Sequence, residues 1–359
     1  MGFVIPVPLG TRSYEVRIGT FDAGEAARVL AAGLGQPTGV AVLVDGQVAA
    51  ASPRVGALVA ALAERLPRVQ RMDLPPGESC KTMAAVAQTC QWMAASGYDR
   101  GAAVIGVGGG ATTDHAGFAA AIYLRGIPFA LCPTTLLAMV DASVGGKTGV
   151  DLPAGKNLVG AFHQPRIVLA DLDFLATLPP RELCSGMAEV VKAGLIADAA
   201  LFERLERGDP VLPTALGEII AAAVKVKVEV VSSDERESGR RAILNFGHTL
   251  GHALESESAY ALLHGEAVAL GMMAALALGQ ARGVTDPALP PRVSALLRQV
   301  GLPVDVAGRL GPAVLARMEV DKKRRGDRVQ FIFVPRLGEA VVEEIALDDL
   351  KRQVTAILG

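Results

Sequence analysis

Aromatic side chains are scarce in this chain: they make up 4% of its 359 residues, and Trp92 is the single tryptophan. An interior short of large rings has to be filled by alanine, valine, leucine and glycine, which favours close packing of helices and strands. Paired cysteines are missing as well. Cys80, Cys90, Cys132 and Cys184 are scattered without a Cys-x-x-Cys pair, which argues against a zinc knuckle or a disulfide framework and makes reducing cytoplasm the expected setting. Charge of one sign is not in excess either. The 35 basic and 37 acidic residues leave a formal net charge of −2, so neither nucleic acid nor an anionic membrane surface is expected as the main partner, and any anion binding must be local. Long apolar runs are absent: stretches 116–124 and 267–278 end at Arg125 and Gln280. Both fall short of the roughly 18 residues of a membrane span and read as buried helices. The opening Met1-Gly2-Phe3-Val4-Ile5-Pro6-Val7-Pro8 lacks the basic segment of a signal peptide.

What is present alternates. In the first half, residues 14–18 show period-two patterning, and 40–44, 103–107 and 167–170 are short β-branched runs that read as buried strands. Helical patterns at 23–33, 53–66, 79–96 and 112–124 lie between them, the rhythm of a Rossmann-like α/β domain with a mostly parallel sheet. Ligands of such sheets gather at the C-terminal ends of the strands. Beyond Leu178 the pattern changes to helices at 181–207, 214–237, 241–256, 264–282 and 290–300, with one strand at 329–334. Two domains are therefore expected, an α/β domain over 1–178 and a mainly α-helical, metal-binding domain over 179–359.

The strand at 103–107 runs into Gly108-Gly109-Gly110 and then a helix that carries Asp114, so unobstructed backbone amides meet a helix N-terminus, an arrangement that suits a nucleotide pyrophosphate. The acidic residue of an ordinary dinucleotide fingerprint is absent, since no Asp or Glu occurs between His115 and Val140. Asp45, at the end of the earlier strand, is the alternative partner for the ribose hydroxyls, and Glu78 with Lys81 offers a second polar clamp. A tight strand-to-helix turn would account for the glycines without a ligand.

Between Arg125 and Gln164 the chain is dense in glycine-flanked cations. Lys147 and Lys156 each follow a glycine and Asn157 comes next, so flexible backbone would let two ammonium groups and an amide meet one phosphate. Gly145-Gly146-Lys147-Thr148 is not a phosphate loop of the ATPase kind, because Asp141 stands where that spacing needs its first glycine.

Three of only five histidines, His248, His252 and His264, fall within 17 residues rich in Gly, Ala and Leu. Together with Glu189 they form the inventory of a catalytic metal site, for which Glu189, His248 and His264 supply three N/O ligands and leave one position open. The spacing of His252, four residues after His248 and on the same helix face, would serve a ligand equally well. Lys192, Lys227, Arg241 and Lys322 add cations that suit a small substrate carrying both carboxylate and phosphate.

The ordered set Gly108-Gly109-Gly110, Pro133-Thr134-Thr135, Asp141 through Gly149, Gly155-Lys156-Asn157, Ala188-Glu189-Val190-Val191-Lys192, Asn245-Phe246-Gly247-His248 with His252, and His264-Gly265-Glu266 closely resembles the 3-dehydroquinate synthase family over nearly the whole chain. The resemblance implies a homodimeric cytoplasmic enzyme of the shikimate pathway that binds NAD and zinc or cobalt. It implies conversion of 3-deoxy-D-arabino-heptulosonate 7-phosphate to 3-dehydroquinate and phosphate, by transient oxidation, phosphate loss, reduction and aldol closure. By motif, Glu189, His248 and His264 resemble the family's metal ligands, and His252 a group on the substrate side. Lys147, Asn157, Lys322 and His252 resemble contacts to the phosphate end, with Arg125 reaching across from a partner subunit, and Lys227 and Arg241 resemble contacts to the carboxylate. Asp141, Lys147, Lys192, Asn245 and His252 resemble catalytic groups. Asp45, Glu78, Lys81, Gly108, Gly109, Gly110, Asp114, Thr134, Thr135, Lys156, Phe174 and Thr177 resemble the NAD contacts.

The nearest alternatives are sister sugar-phosphate cyclases of the amino-dehydroquinate or valiolone type. A metal-dependent polyol dehydrogenase would release NADH, and a non-catalytic NAD sensor would need no metal triad.

Overall fold

The computed structural model describes residues 2–208, 213–259, 261–318, 324–325 and 327–358, and the chain divides into two compact units, Met1–Pro179 and Pro180–Gly359.

The first unit is built on a seven-stranded sheet. Its elements in order are β1 (Phe3–Val7), β2 (Tyr14–Gly19), α1 (Ala23–Leu34), β3 (Val40–Asp45), α2 (Gly46–Ala51), α3 (Pro53–Ala63), β4 (Val69–Leu74), α4 (Met83–Ala95), β5 (Ala103–Gly108), α5 (Gly110–Ile122), β6 (Phe129–Pro133), β7 (Lys147–Leu152), β8 (Gly155–Phe162) and β9 (Ile167–Asp171). Strand order is β1-β2-β9-β6-β5-β3-β4, parallel except for the β1–β2 pair, while β7 and β8 form a separate antiparallel hairpin. The central strands β3 and β5 are buried along their whole length, as expected of a parallel sheet covered on both faces. Valine, alanine and leucine from β3, α1 and α3 make the core on one face, with Phe174 its one fully buried aromatic. The succession of strands across the sheet reverses between β3, which is followed on one side by β4, and β5, which is followed on the other by β6. That switch point sets Asp45 beside the Gly108-Gly109-Gly110 turn, because Val44 pairs with Val107.

The second unit contains α6 (Pro180–Ala197), α7 (Ala199–Arg207), α8 (Pro213–Ser233), α9 (His248–Glu257), α10 (His264–Ala281), α11 (Leu289–Gln299), α12 (Pro312–Arg317), β10 (Arg324–Arg325), β11 (Arg328–Arg336), β12 (Glu339–Ala346) and α13 (Leu347–Leu358). Helix α10 is buried on nearly every face and packs on α6 and α9. Those contacts are made by backbone. A Cβ on Gly265 would lie 1.9 Å from the Ser185 carbonyl oxygen of α6, and one on Gly271 would lie 1.9 Å from the Gly247 oxygen that precedes α9.

Several boundaries differ from the sequence reading. The helix expected over 181–207 is two, because Asp198 leaves helical geometry and caps α7 by accepting the Leu201 N–H at 3.0 Å. The helix expected over 241–256 begins only at His248, after a tight turn at Arg240–Asn245 and Gly247 in the left-handed region (φ 78°). In place of one strand the second unit has a three-stranded antiparallel sheet, whose β12 was concealed by its glutamates, with Gly338 (φ 81°) making the turn from β11. The cation-rich stretch read as flexible loop is the ordered β7–β8 hairpin, held by a ladder from Lys147↔Phe162 to Leu152↔Gly155.

Candidate functional site

Three helices of the second unit deliver the proposed metal ligands to one point. Glu189 lies in the buried middle of α6, 3% exposed, and its two carboxylate oxygens have different surroundings. One, Oε2, is paired with Lys192 Nζ one turn further along the helix, an ion pair almost fully removed from water. The other, Oε1, faces two imidazoles: His248 Nε2 at 3.6 Å and His264 Nε2 at 3.4 Å.

These separations suit a shared ion. Metal–ligand bonds of about 2.0–2.2 Å around a tetrahedral centre set the ligand atoms roughly 3.3–3.6 Å apart. One ligand atom from each of Glu189, His248 and His264 lies within 4.8 Å of the other two. The ring orientations agree. His248 Nδ1 stands 3.1 Å from the Phe246 carbonyl oxygen, which can only accept, so the proton sits on Nδ1 and Nε2 carries the lone pair on the side of Glu189. Burial works against a charged His264, yet Glu189 and Glu255 on either side push its pKa up to about 9. A pocket that draws a proton this strongly in the absence of metal offers the same negative potential to a divalent cation, and the donor set fits one.

His252 follows one turn after His248, their ring centroids 5.1 Å apart, and stands 5.9 Å from the His264 ring. It also belongs to a second potential ligand set, His252, Glu255 and His264, which shares His264 with the first. Sequence reading passed over Glu255, although its position seven residues after His248 on the same face of α9 is a signal for it.

The cations of this unit are held by local structure. Asp234 ends the α8 segment and accepts the backbone N–H groups of Ser238 (2.8 Å), Gly239 (2.8 Å) and Arg241 (2.9 Å). Burial opposes its charge, but these bonds draw its pKa down to about 2. The folded-back loop fixes Arg241, 2% exposed, whose guanidinium donates to the Glu235 carbonyl, and it sets Glu237 to receive the Asn245 amide at 2.8 Å. Lys227 is buried on α8. Lys322 lies outside the described residues.

In the first unit the glycine turn divides its duties. A Cβ on Gly108 would strike the Thr112 side chain at 2.6 Å, so this glycine is needed for packing whatever it offers a ligand. At Gly109 and Gly110 the closest approaches are 3.1 and 3.3 Å, and these two open the N-terminus of the 13-residue α5 to a phosphate. Asp45 is 6% exposed and its carboxylate already accepts Gln47 N–H (2.8 Å), Val48 N–H (3.2 Å), Gly77 N–H (3.3 Å) and Thr112 O–H (3.4 Å). A ribose hydroxyl there has to displace one of the two long contacts, because a carboxylate has about four acceptor positions.

Lys81 meets Asp114 at 2.7 Å, and Glu78 meets Lys156 at 3.3 Å. Burial opposes the charge on Lys81, but Asp114 and Glu78 hold its pKa above the ordinary lysine value. Thr134 is buried and donates its N–H to the Gly108 carbonyl, while Thr135 accepts the Ala138 N–H. Phe174 packs its ring in the core and Thr177 donates its hydroxyl to the Phe174 carbonyl, so from Phe174 only backbone is open to a ligand. Asp141 sits in the wide helical turn Ala138–Ala142; Lys147 opens β7; Asn157 takes a positive φ of 56° within β8, its N–H donated to Asp151. Arg125 is exposed, with a positive φ of 69°.

Two family models match in succession, 3-dehydroquinate synthase N-terminal over residues 71–185 and 3-dehydroquinate synthase C-terminal over 186–324. The 3-dehydroquinate synthase of Caulobacter vibrioides is 45% identical over 349 residues, covering 94% of each chain. This chain belongs to the 3-dehydroquinate synthase family. Among relatives of that family, the Streptomyces avermitilis 3-dehydroquinate synthase is 44% identical over 93% of this chain and 92% of its own. Solved structures of related cyclases share the fold. A 2-epi-5-epi-valiolone synthase from Streptomyces hygroscopicus, with NAD+ and Zn2+ bound, superposes with a TM-score of 0.85 at 30% identity, covering 96% of this chain and 95% of that one. A 2-deoxy-scyllo-inosose synthase complexed with carbaglucose-6-phosphate, NAD+ and Co2+ has the same TM-score at 25% identity, covering 99% and 100%.

Proposed function

We propose that the chain is an NAD- and metal-dependent lyase that converts 3-deoxy-D-arabino-heptulosonate 7-phosphate to 3-dehydroquinate and phosphate. The observation that carries this reading is the convergence of His248 and His264 Nε2 on one Glu189 oxygen, at 3.6 and 3.4 Å, in a chain of this family. Bound NAD would supply a hydride acceptor that returns what it takes, and a zinc or cobalt ion held by Glu189, His248 and His264 would supply a Lewis acid for the substrate hydroxyl.

The chain's own groups do the rest. The first unit is the proposed nucleotide domain, where the α5 N-terminus at Gly109 and Gly110 binds the pyrophosphate and the Lys81–Asp114 and Glu78–Lys156 pairs set the polar wall. Lys147 and Asn157 are proposed to grip the substrate phosphate and stabilise charge on it as it leaves, a role the family resemblance also gives to His252 and Lys322. Lys227 and Arg241 take the carboxylate, which a glucose- or sedoheptulose-derived substrate lacks. Arg241 in particular is preset by the Asp234 loop, so little side-chain entropy remains to be lost on binding. Asp141, Lys192 and Asn245 orient the reacting hydroxyls. The working form is proposed to be a cytoplasmic homodimer with Arg125 reaching the partner's substrate; among the described residues no helix is long and apolar enough to cross a membrane.

A phosphate-release assay on the purified chain tests the proposal. Release from the heptulosonate phosphate should be abolished by a chelator and restored by zinc or cobalt, with no net NADH. Turnover of sedoheptulose 7-phosphate instead would transfer the chain to a sister cyclase, and steady NADH accumulation would make it a dehydrogenase.

A further inference from the structure

The two imidazoles that meet at Glu189 are oriented by different means. His248 finds an acceptor for its Nδ1 proton within its own turn, the Phe246 carbonyl. His264 opens α10, its side chain 26% exposed, and its Nδ1 is met from another helix: Glu255 Oε2 of α9 stands 3.5 Å away. Glu255 is 4% exposed, an unusual place for a carboxylate whose charge has no service to perform. The ring of His264 is therefore held between two acids on different helices, Glu255 on the Nδ1 side and Glu189 at 3.4 Å on the Nε2 side.

We propose that Glu255 is a positioning residue that receives the Nδ1 proton of His264, fixing its tautomer and ring plane so that Nε2 presents its lone pair to the ion shared with Glu189 and His248. The inference rests on the proposed metal centre. It extends that centre by a group that touches neither substrate nor ion. A carboxylate behind a ligand imidazole raises the basicity of the ligating nitrogen, and loss of such a partner typically weakens metal binding about 10–100-fold. The backbone carbonyl behind His248 is neutral, so the stronger electrostatic support goes to the more exposed histidine, the one with more freedom to turn away. It follows that Glu255 acts through His264, and that the set His252, Glu255 and His264 is an extension of the first site and not a second ion position.

The test is metal affinity, read without turnover. Zinc and cobalt dissociation constants are measured by competition with a chromophoric chelator for the wild-type chain, Glu255→Gln, Glu255→Leu and His248→Ala, together with the visible absorption of the cobalt forms and thermal unfolding of each metal-free protein. Glu255→Gln keeps an oxygen that can accept the Nδ1 proton and should lose affinity by less than about tenfold; Glu255→Leu should lose about 10–100-fold, with an altered cobalt spectrum. Should the leucine variant not fold, the glutamine variant decides alone, with an expected loss of at least threefold at unchanged metal-free unfolding temperature. Wild-type affinity in both foldable variants, while His248→Ala abolishes binding, overturns the role of Glu255 and leaves the metal centre intact. Failure of the wild-type chain to take up either ion overturns both.

Discussion

Gly265→Ala is the substitution that most directly probes how the second unit builds its centre. The added methyl carbon would lie 1.9 Å from the Ser185 carbonyl oxygen and 2.5 and 2.7 Å from the carbonyl carbon and Cα behind it. None of these atoms is the end of a flexible side chain. To reach the 3.4 Å at which ordinary contact begins, the start of α10 must move from α6 by about 1.5 Å. The same movement breaks the 3.0 Å bond from the Gly265 N–H to Ser185 Oγ and pulls on the paired bonds between Arg181 and Glu266, both 2.7 Å. His264 is the preceding residue, and its Nε2 would retreat from Glu189 Oε1 by a similar amount. Metal sites tolerate about 0.2 Å. The expected result is a loss of stability at or above the roughly 1–3 kcal/mol of an overpacked core, and zinc affinity weakened by more than a hundredfold, both measurable by urea unfolding and chelator competition. Gly56→Ala in α3 is the control: nothing lies within 4 Å of the new carbon, and relief of unfolded-chain entropy should add about 0.4–1 kcal/mol. A Gly265→Ala protein with wild-type unfolding midpoint and zinc affinity would refute the claim that backbone contact between α6 and α10 sets the ligand geometry.

Lys192→Met should destabilise the metal-free chain by about 3–5 kcal/mol, because it strands the buried Glu189 carboxylate, and added zinc should recover part of the loss; equal stability of the two metal-free proteins would contradict this. Asp234 gives a pH signature. Its folded pKa of about 2 lies below the ordinary 3.8, so its contribution is fully present above 3.8 and is lost as pH falls towards 2. The unfolding midpoints of wild type and Asp234→Asn should therefore differ most at neutral pH and converge in that acid window, and a constant gap would show that the carboxylate charge is not what holds the loop.

Much of the site was legible because its chemistry needs rare residues in one small window. With five histidines in the chain, the grouping of three of them near Gly and Ala could be read from order alone, as could the glycine turn after a β-branched strand. What stayed hidden was set by contacts distant in sequence. Nothing local distinguishes His264 from His252 as the partner of His248; the distinction comes from α6, where Glu189, far earlier in the chain, faces Nε2 of His264. Glu255 escaped notice for a related reason, since an acid near a helix end usually belongs to a solvated face. The β7–β8 segment was read as flexible because glycines precede Lys147 and Lys156, whereas the glycines within the hairpin let two strands touch, a Cβ on Gly160 falling 2.1 Å from the Thr148 oxygen.

The pairing of Lys192 with one oxygen of Glu189 also bears on selectivity among ions. With Oε2 engaged, Glu189 has a single oxygen to offer, and the remaining protein donors at that point are imidazole nitrogens. Calcium seeks six to eight oxygens, often with a carboxylate gripping through both of its own, and magnesium prefers an octahedron of oxygen and water. Neither abundant ion would find its preferred shell in this donor set, so by engaging one carboxylate oxygen the buried Lys192 would bias the proposed site towards scarcer, nitrogen-seeking metals.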